Sequence, residues 1–155
     1  MNPAAIIVRF RSAWLGAALL LLSLVLAGRS AGAESALAFR VIVHPENPSS
    51  SLSREFVADA YLKRVTRWPD GQPLHPVDQH SGAALRQRFS DVVLKRSLTA
   101  VKRYWQQRIF SGRELPPPEL DSDDAVVSYV LKHRGAIGYV SEPTKLQGAK
   151  TVTVR

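Results

Sequence analysis

The stretch Asp78-Gln79-His80-Ser81-Gly82-Ala83 concentrates the groups in this 155-residue chain that could do chemistry. It holds the three residue types of a hydrolase triad in Asp78, His80 and Ser81. Triad members must approach from separate segments so that base and nucleophile face each other, which near neighbours in sequence do not achieve. No Gly-x-Ser-x-Gly elbow accompanies them. His75, Asp78 and His80 could be read as metal ligands, but HExxH spacing is absent and with no cysteine in the chain no thiolate site exists. Neither catalysis nor a metal or other cofactor is expected.

Anion binding is the chemistry these residue types suit better. If Ser81, Gly82 and Ala83 open a helix, their backbone N–H groups and the positive end of the helix dipole face outward. Gly82 then lets an anion approach with no Cβ in its way. The same pattern also suits Ser81 as a plain cap of its own helix.

The elements that would position this loop follow from periodicity and punctuation. Phe39 to His44 is β-branched and apolar up to Pro45, as a buried strand is. The Pro-, Asn- and Ser-rich run 46–51 is a loop. Ser53 then caps a helix with Phe56, Val57, Ala60 and Tyr61 on its buried stripe, and Leu52 placed to staple against Val57. Trp68-Pro69-Asp70-Gly71 is a turn, and Leu74 to Val77 a short strand. From Ser81 a long helix is expected, with Leu85, Phe89, Val92 and Val93 recurring at helical spacing. Another, from Leu98 to Phe110, should bury Val101, Trp105 and Ile109 and show Lys102, Arg103 and Gln106 to solvent.

Arg113 to Pro118 cannot be helical and reads as an extended surface run. Asp121, Ser122, Asp123 and Asp124 begin a fourth helix as its caps, the carboxylates placed favourably against its dipole. Residues 135–140 and 151–154 close the chain as strands. Strands interleaved with helices make an α/β domain of three layers, αβα, with the sheet in the middle.

Residues 1–33 carry the order of a secretory signal peptide. Arg9 and Arg11 precede an apolar run, and Ala31-Gly32-Ala33 offers small residues for cleavage. The apolar part is short for a membrane span, so no stable anchor is expected after cleavage and residues 34–155 form one exported domain. Without disulfides that domain depends on its apolar core. The formal net charge of +8 falls to about +5 without the leader arginines, and its bases are interspersed with acids, which speaks against nucleic acid as a partner.

Taken together, Leu52-Ser53-Arg54-Glu55-Phe56, Tyr61-Leu62, Thr66 to Gly71, Pro76-Val77, Ser81-Gly82, Phe89 and Gly135-Ala136-Ile137-Gly138-Tyr139-Val140 resemble the phosphate ABC-transporter substrate-binding family. The resemblance covers nearly all of residues 34–155 and matches the second lobe only. It implies a single lobe of the periplasmic-binding-protein-like (type II) fold and a non-catalytic periplasmic protein. The implied ligand is inorganic phosphate or another oxyanion, and the implied partner an ABC permease or another envelope protein.

Ser81 and Gly82 match the family's Ser-Gly-Thr anion loop. Its threonine is replaced by Ala83, and its arginine, four residues before the serine, by Val77. Arg67, Asp78, His80 and Arg86 are the neighbours from which support for an anion would come. Loss of the arginine removes a bidentate charge-assisted contact. Weak oxyanion binding is therefore expected, and the alternative is an envelope interaction domain with no small ligand.

Overall fold

The computed structural model describes residues 38–155, so the proposed leader and its cleavage site lie outside the described residues. The elements run β1 (Phe39–Val43), β2 (Ser51–Leu52), α1 (Arg54–Tyr61), β3 (His75–Pro76), β4 (Asp78–Gln79) and α2 (Ala84–Phe89). A π-helical turn (Ser90–Leu94) continues α2. Then follow α3 (Leu98–Phe110), β5 (Glu119–Leu120), α4 (Asp123–Lys132), β6 (Ala136–Ser141) and β7 (Lys150–Val154).

Five strands make one sheet in the order β2-β7-β1-β6-β3. The central strand β1 runs antiparallel to both β6 and β7, while β2 is parallel to β7 and β3 to β6. β4 and β5 pair separately, in parallel.

Side chains alternate across the sheet, and each face meets its own helices. Val41, Val43, Ile137, Tyr139 and Val152 pack with α1, α2 and α3 through Tyr61, Leu85, Phe89 and Trp105. Ile42, Ala136 and Val140 pack with Val126, Val127 and Val130 of α4 on the opposite face. A sheet covered on both faces needs apolar residues at consecutive positions, which is why Phe39 to Val43 does not alternate. The architecture is the expected three-layer αβα domain.

Two glycines are set by close approach. A Cβ at Gly138 would lie 2.6 Å from Val126 Cγ1, so only glycine lets α4 reach β6 here. A Cβ at Gly135 would fall 2.0 Å from the Pro73 carbonyl oxygen. The Gly135 carbonyl accepts a 2.9 Å bond from the buried Trp68 indole, which ties the Trp68 to Gly71 turn to the sheet.

Ser53 caps α1 as expected, its hydroxyl accepting from Phe56 N at 3.1 Å. Two expectations need correction. The helix after Ser81 begins only at Ala84, because residues 81–82 form a turn with Ala83 N–H donating to the His80 carbonyl at 2.9 Å. Ile109 is 47% exposed, not core: it keeps the four-residue spacing of Val101 and Trp105, but the last turn of α3 runs past the domain. At α4 Ser122 is the cap, accepting from Ala125 N at 3.2 Å, with Asp123 and Asp124 in the first turn as expected; the Asp123 carboxylate bonds to Gln79, Ser141 and Thr144.

Candidate functional site

Pairing of β4 with β5 brings Glu119 beside the 78–86 segment, and this registration builds the site. Asp78 N–H donates to the Pro118 carbonyl and His80 N–H to the Leu120 carbonyl, both at 2.9 Å. Glu119 lies between those two acceptors.

Its carboxylate is spanned by two donors. Ser81 N–H donates to Oε2 at 3.1 Å, and Arg86 Nη1 lies 2.6 Å from Oε1. Arg86 is one turn into α2 and buried, with Nη2 3.1 Å from Asp78 Oδ2 and Nη1 donating to the Gln79 carbonyl at 3.0 Å. The guanidinium is thus engaged by two carboxylates and a carbonyl. Its pKa is raised: burial works against the charge, but Asp78 and Glu119 outweigh it. Since arginine stays ionised in any case, the consequence is a pinned cation.

Asp78 sits deeper. Its Oδ1 accepts from the Tyr139 hydroxyl and from Gln79 N–H, the latter at 2.9 Å. Burial pushes its carboxyl up from the usual carboxylate value, opposed by Arg86 and the Tyr139 hydroxyl. The Tyr139 phenol is itself driven upward, by burial first and then by the charge of Asp78. Gln79 completes the network, its amide donating to Asp123 Oδ1 at 2.7 Å and to the Tyr139 carbonyl at 3.1 Å. Asp123 accepts from the Ser141 hydroxyl and N–H and from the Thr144 hydroxyl. Burial alone would raise its carboxyl, but these bonds and the one from Gln79 hold it below the usual range.

The remaining sequence-derived candidates divide. Gly82 N–H donates to His80 Nδ1 at 3.1 Å, so the His80 ring folds back over its own turn. With the Ala83 bond to the His80 carbonyl, the N–H groups of Ser81, Gly82 and Ala83 all have partners within the protein. Arg67 is exposed and donates to the Gly71 carbonyl at 2.9 Å, within its own turn. His75 is also exposed and Asp78 is committed to Arg86 and Tyr139, so they do not form a ligand set with His80. No group of metal-binding side chains occurs among the described residues.

Sequence reasoning did not anticipate Glu119 or Tyr139. The available signal for Glu119 was thin: one carboxylate after Pro116 to Pro118, where the chain must be extended.

One guanidinium facing two carboxylates leaves this cluster with formal negative charge. An incoming oxyanion would have to displace Glu119 from Ser81 N–H and Arg86, and would still face Asp78. Replacing a resident carboxylate with a solvated one of like charge brings little net gain.

Neither protein-family models nor curated protein sequences give a match to the chain. Solved structures do. A Clostridium perfringens protein with phosphate bound, assigned as a phosphate ABC-transporter substrate-binding protein, is similar at TM-score 0.60 and 21% identity over 75% of this chain and 44% of its own. An ABC-type phosphate transport receptor from Vibrio cholerae is similar at TM-score 0.59 and 18% identity, over 77% of this chain and 48% of its own. PstS from Borrelia burgdorferi follows at 0.58 and 13%, over 76% and 47%. The chain therefore spans less than half the length of each of these structures. At these identities the likeness establishes the fold: residues 38–155 adopt the periplasmic-binding-protein-like architecture as a single lobe.

Proposed function

We propose that this chain is an exported, non-catalytic lobe of periplasmic-binding-protein-like fold that acts by association with another envelope protein rather than by tight capture of free phosphate. One observation carries the reading: the Glu119 carboxylate lies on Ser81 N–H and Arg86, the two donors an oxyanion would need. A protein that already holds its own carboxylate at an anion site has little left to offer a second anion.

Weak oxyanion binding is the second reading, and Glu119 favours it in one respect. Its side chain is 39% exposed, so it can swing away and leave Ser81 N–H and Arg86 to a phosphate group at a cost. An ABC permease or another envelope component is the partner class that suits the fold. No cofactor enters either reading.

Titration calorimetry with phosphate and then sulfate at low salt tests the proposal. Phosphate affinity no tighter than roughly 0.1 mM agrees with it, and micromolar binding by the monomer overturns it. Export has its own measurement: the intact mass of protein from the periplasmic fraction should correspond to cleavage after Ala33.

A further inference from the structure

Among the described residues Arg86 is the one buried base, and two carboxylates share it. Asp78 Oδ2 lies 3.1 Å from its Nη2 and Glu119 Oε1 2.6 Å from its Nη1. A guanidinium carries a single positive charge, so one of the two negative charges is in excess. Neutral donors hold the surplus in place. Asp78 Oδ1 accepts from the Tyr139 hydroxyl and from Gln79 N–H, and Glu119 Oε2 from Ser81 N–H.

The other groups that face this trio come from every neighbouring element. Tyr61 of α1 and Tyr139 of β6 are buried phenols, driven upward by burial first and then by the charge of Asp78, so both keep their protons. On α4, Asp123 reaches the cluster through the Gln79 amide, and its hydrogen bonds hold its carboxyl below the usual range. Lys102 of α3 is exposed and lines the same groove as Ser81, Arg86 and Glu119. His80 lies in the Ser81 turn, its Nδ1 accepting from Gly82 N–H. That leaves the Asp78–Glu119 pair and the His80 ring as the places where a proton can be gained. Burial already pushes the Asp78 carboxyl upward, with Arg86 opposing it.

We infer that the anion site at Ser81 and Arg86 is gated by a proton: a tetrahedral oxyanion binds as the Asp78–Glu119 pair takes up one proton, so its affinity rises as pH falls. This rests on the weak-oxyanion reading above and names the regulation of that site.

The cause is the charge balance around Arg86. An oxyanion there places a further negative charge beside two carboxylates, which raises the affinity of the pair for a proton. By reciprocity, the proton raises the affinity for the oxyanion by the same factor. With the proton bound, one carboxylate remains for one guanidinium, and Ser81 N–H passes to the ligand. The proton belongs to the pair, because both carboxylates face the same cation. Glu119 is the member that moves aside: its side chain is 39% exposed, against 11% for Asp78.

Sulfate is the probe, because it keeps both charges over a range in which phosphate itself gains a proton. It is titrated into the purified protein by calorimetry at constant low ionic strength, from about pH 7.5 to about pH 4.5. Affinity should rise by about tenfold or more over that range. Buffers of different ionisation enthalpy should reveal uptake of up to about one proton per sulfate. Glu119→Gln leaves one carboxylate to one guanidinium, so it should bind sulfate more tightly at neutral pH, with little pH dependence and no proton uptake. His80→Gln should keep both the pH dependence and the proton. A melting temperature recorded at each pH shows that the fold persists.

Equal sulfate affinity across the range, or binding without proton uptake, overturns the inference and leaves weak oxyanion binding in place. The same holds for a pH dependence that survives Glu119→Gln, or one that His80→Gln removes, which would make the histidine the gate. If no sulfate binds at any pH, the inference and the weak-oxyanion reading fall together.

Discussion

Glu119 Oε2 lies 3.1 Å from the amide nitrogen of Ser81, so a carboxylate of the protein stands where a helix-entry loop would receive an external anion. Glu119→Gln keeps a carbonyl acceptor for Ser81 N–H and Arg86 but removes the charge. Phosphate affinity should rise by about tenfold, and an NMR titration should move the amide signals of Ser81 to Ala83 more in the variant than in the parent. Equal or weaker phosphate binding by Glu119→Gln would mean that Glu119 does not compete for the site.

Phe89 stacks on Tyr139 with ring centroids 3.9 Å apart and meets Tyr61 at 4.7 Å, joining α2 to the sheet and α1. Phe89→Ala should cost about 3–5 kcal/mol by urea denaturation, through lost transfer energy and the cavity left behind. A loss under about 1 kcal/mol would show that the aromatic cluster collapses around the gap.

Gly138→Ala tests the contact between sheet and helix. Its added methyl would meet Val126 at 2.6 Å, and also Val77 and Val130. The expected cost is about 1–3 kcal/mol, read as a lower melting temperature, and relief is expected from a second change, Val126→Ala, which clears the space.

Asp123 sets a dependence on acid. Burial alone would raise its carboxyl in the folded protein, but bonds from Ser141, Thr144 and Gln79 hold it below the usual carboxylate range. Its contribution is therefore complete above the unfolded value and lost as pH falls through the folded one. Denaturation midpoints should decline below about pH 4, and Asp123→Asn should flatten that decline while lowering stability at neutral pH. An identical pH profile in the variant would place the acid sensitivity elsewhere.

Much of the fold is legible in the sequence because it is local. The cap at Ser53, the helix from Leu98 to Phe110 and the closing strands follow from spacing and punctuation within a few residues. Ile109 shows where such reasoning stops: helical spacing specifies a face, but how far the core extends beneath that face depends on other elements. The candidate site is further removed. Glu119 reaches Ser81 only through the pairing of two-residue strands, a relation across 38 positions that no local pattern encodes. Asp78 looks like part of a polar loop, and its burial depends on Tyr139 and Arg86 arriving from other elements.

The antiparallel placement of β1 bears on the order in which the molecule can be made. Residues 39–43 pair with β6 and β7, and Arg54 N–H donates to the Arg155 carbonyl at 2.7 Å. Among the described residues, the first strand therefore has no sheet neighbour until β6 and β7 have been synthesised. Such distant pairing folds slowly, because loop closure must precede the contacts that stabilise it. A nascent chain of this topology cannot close its central sheet until residues 136–154 have been made, so its helices are made before the strand they will cover has its neighbours.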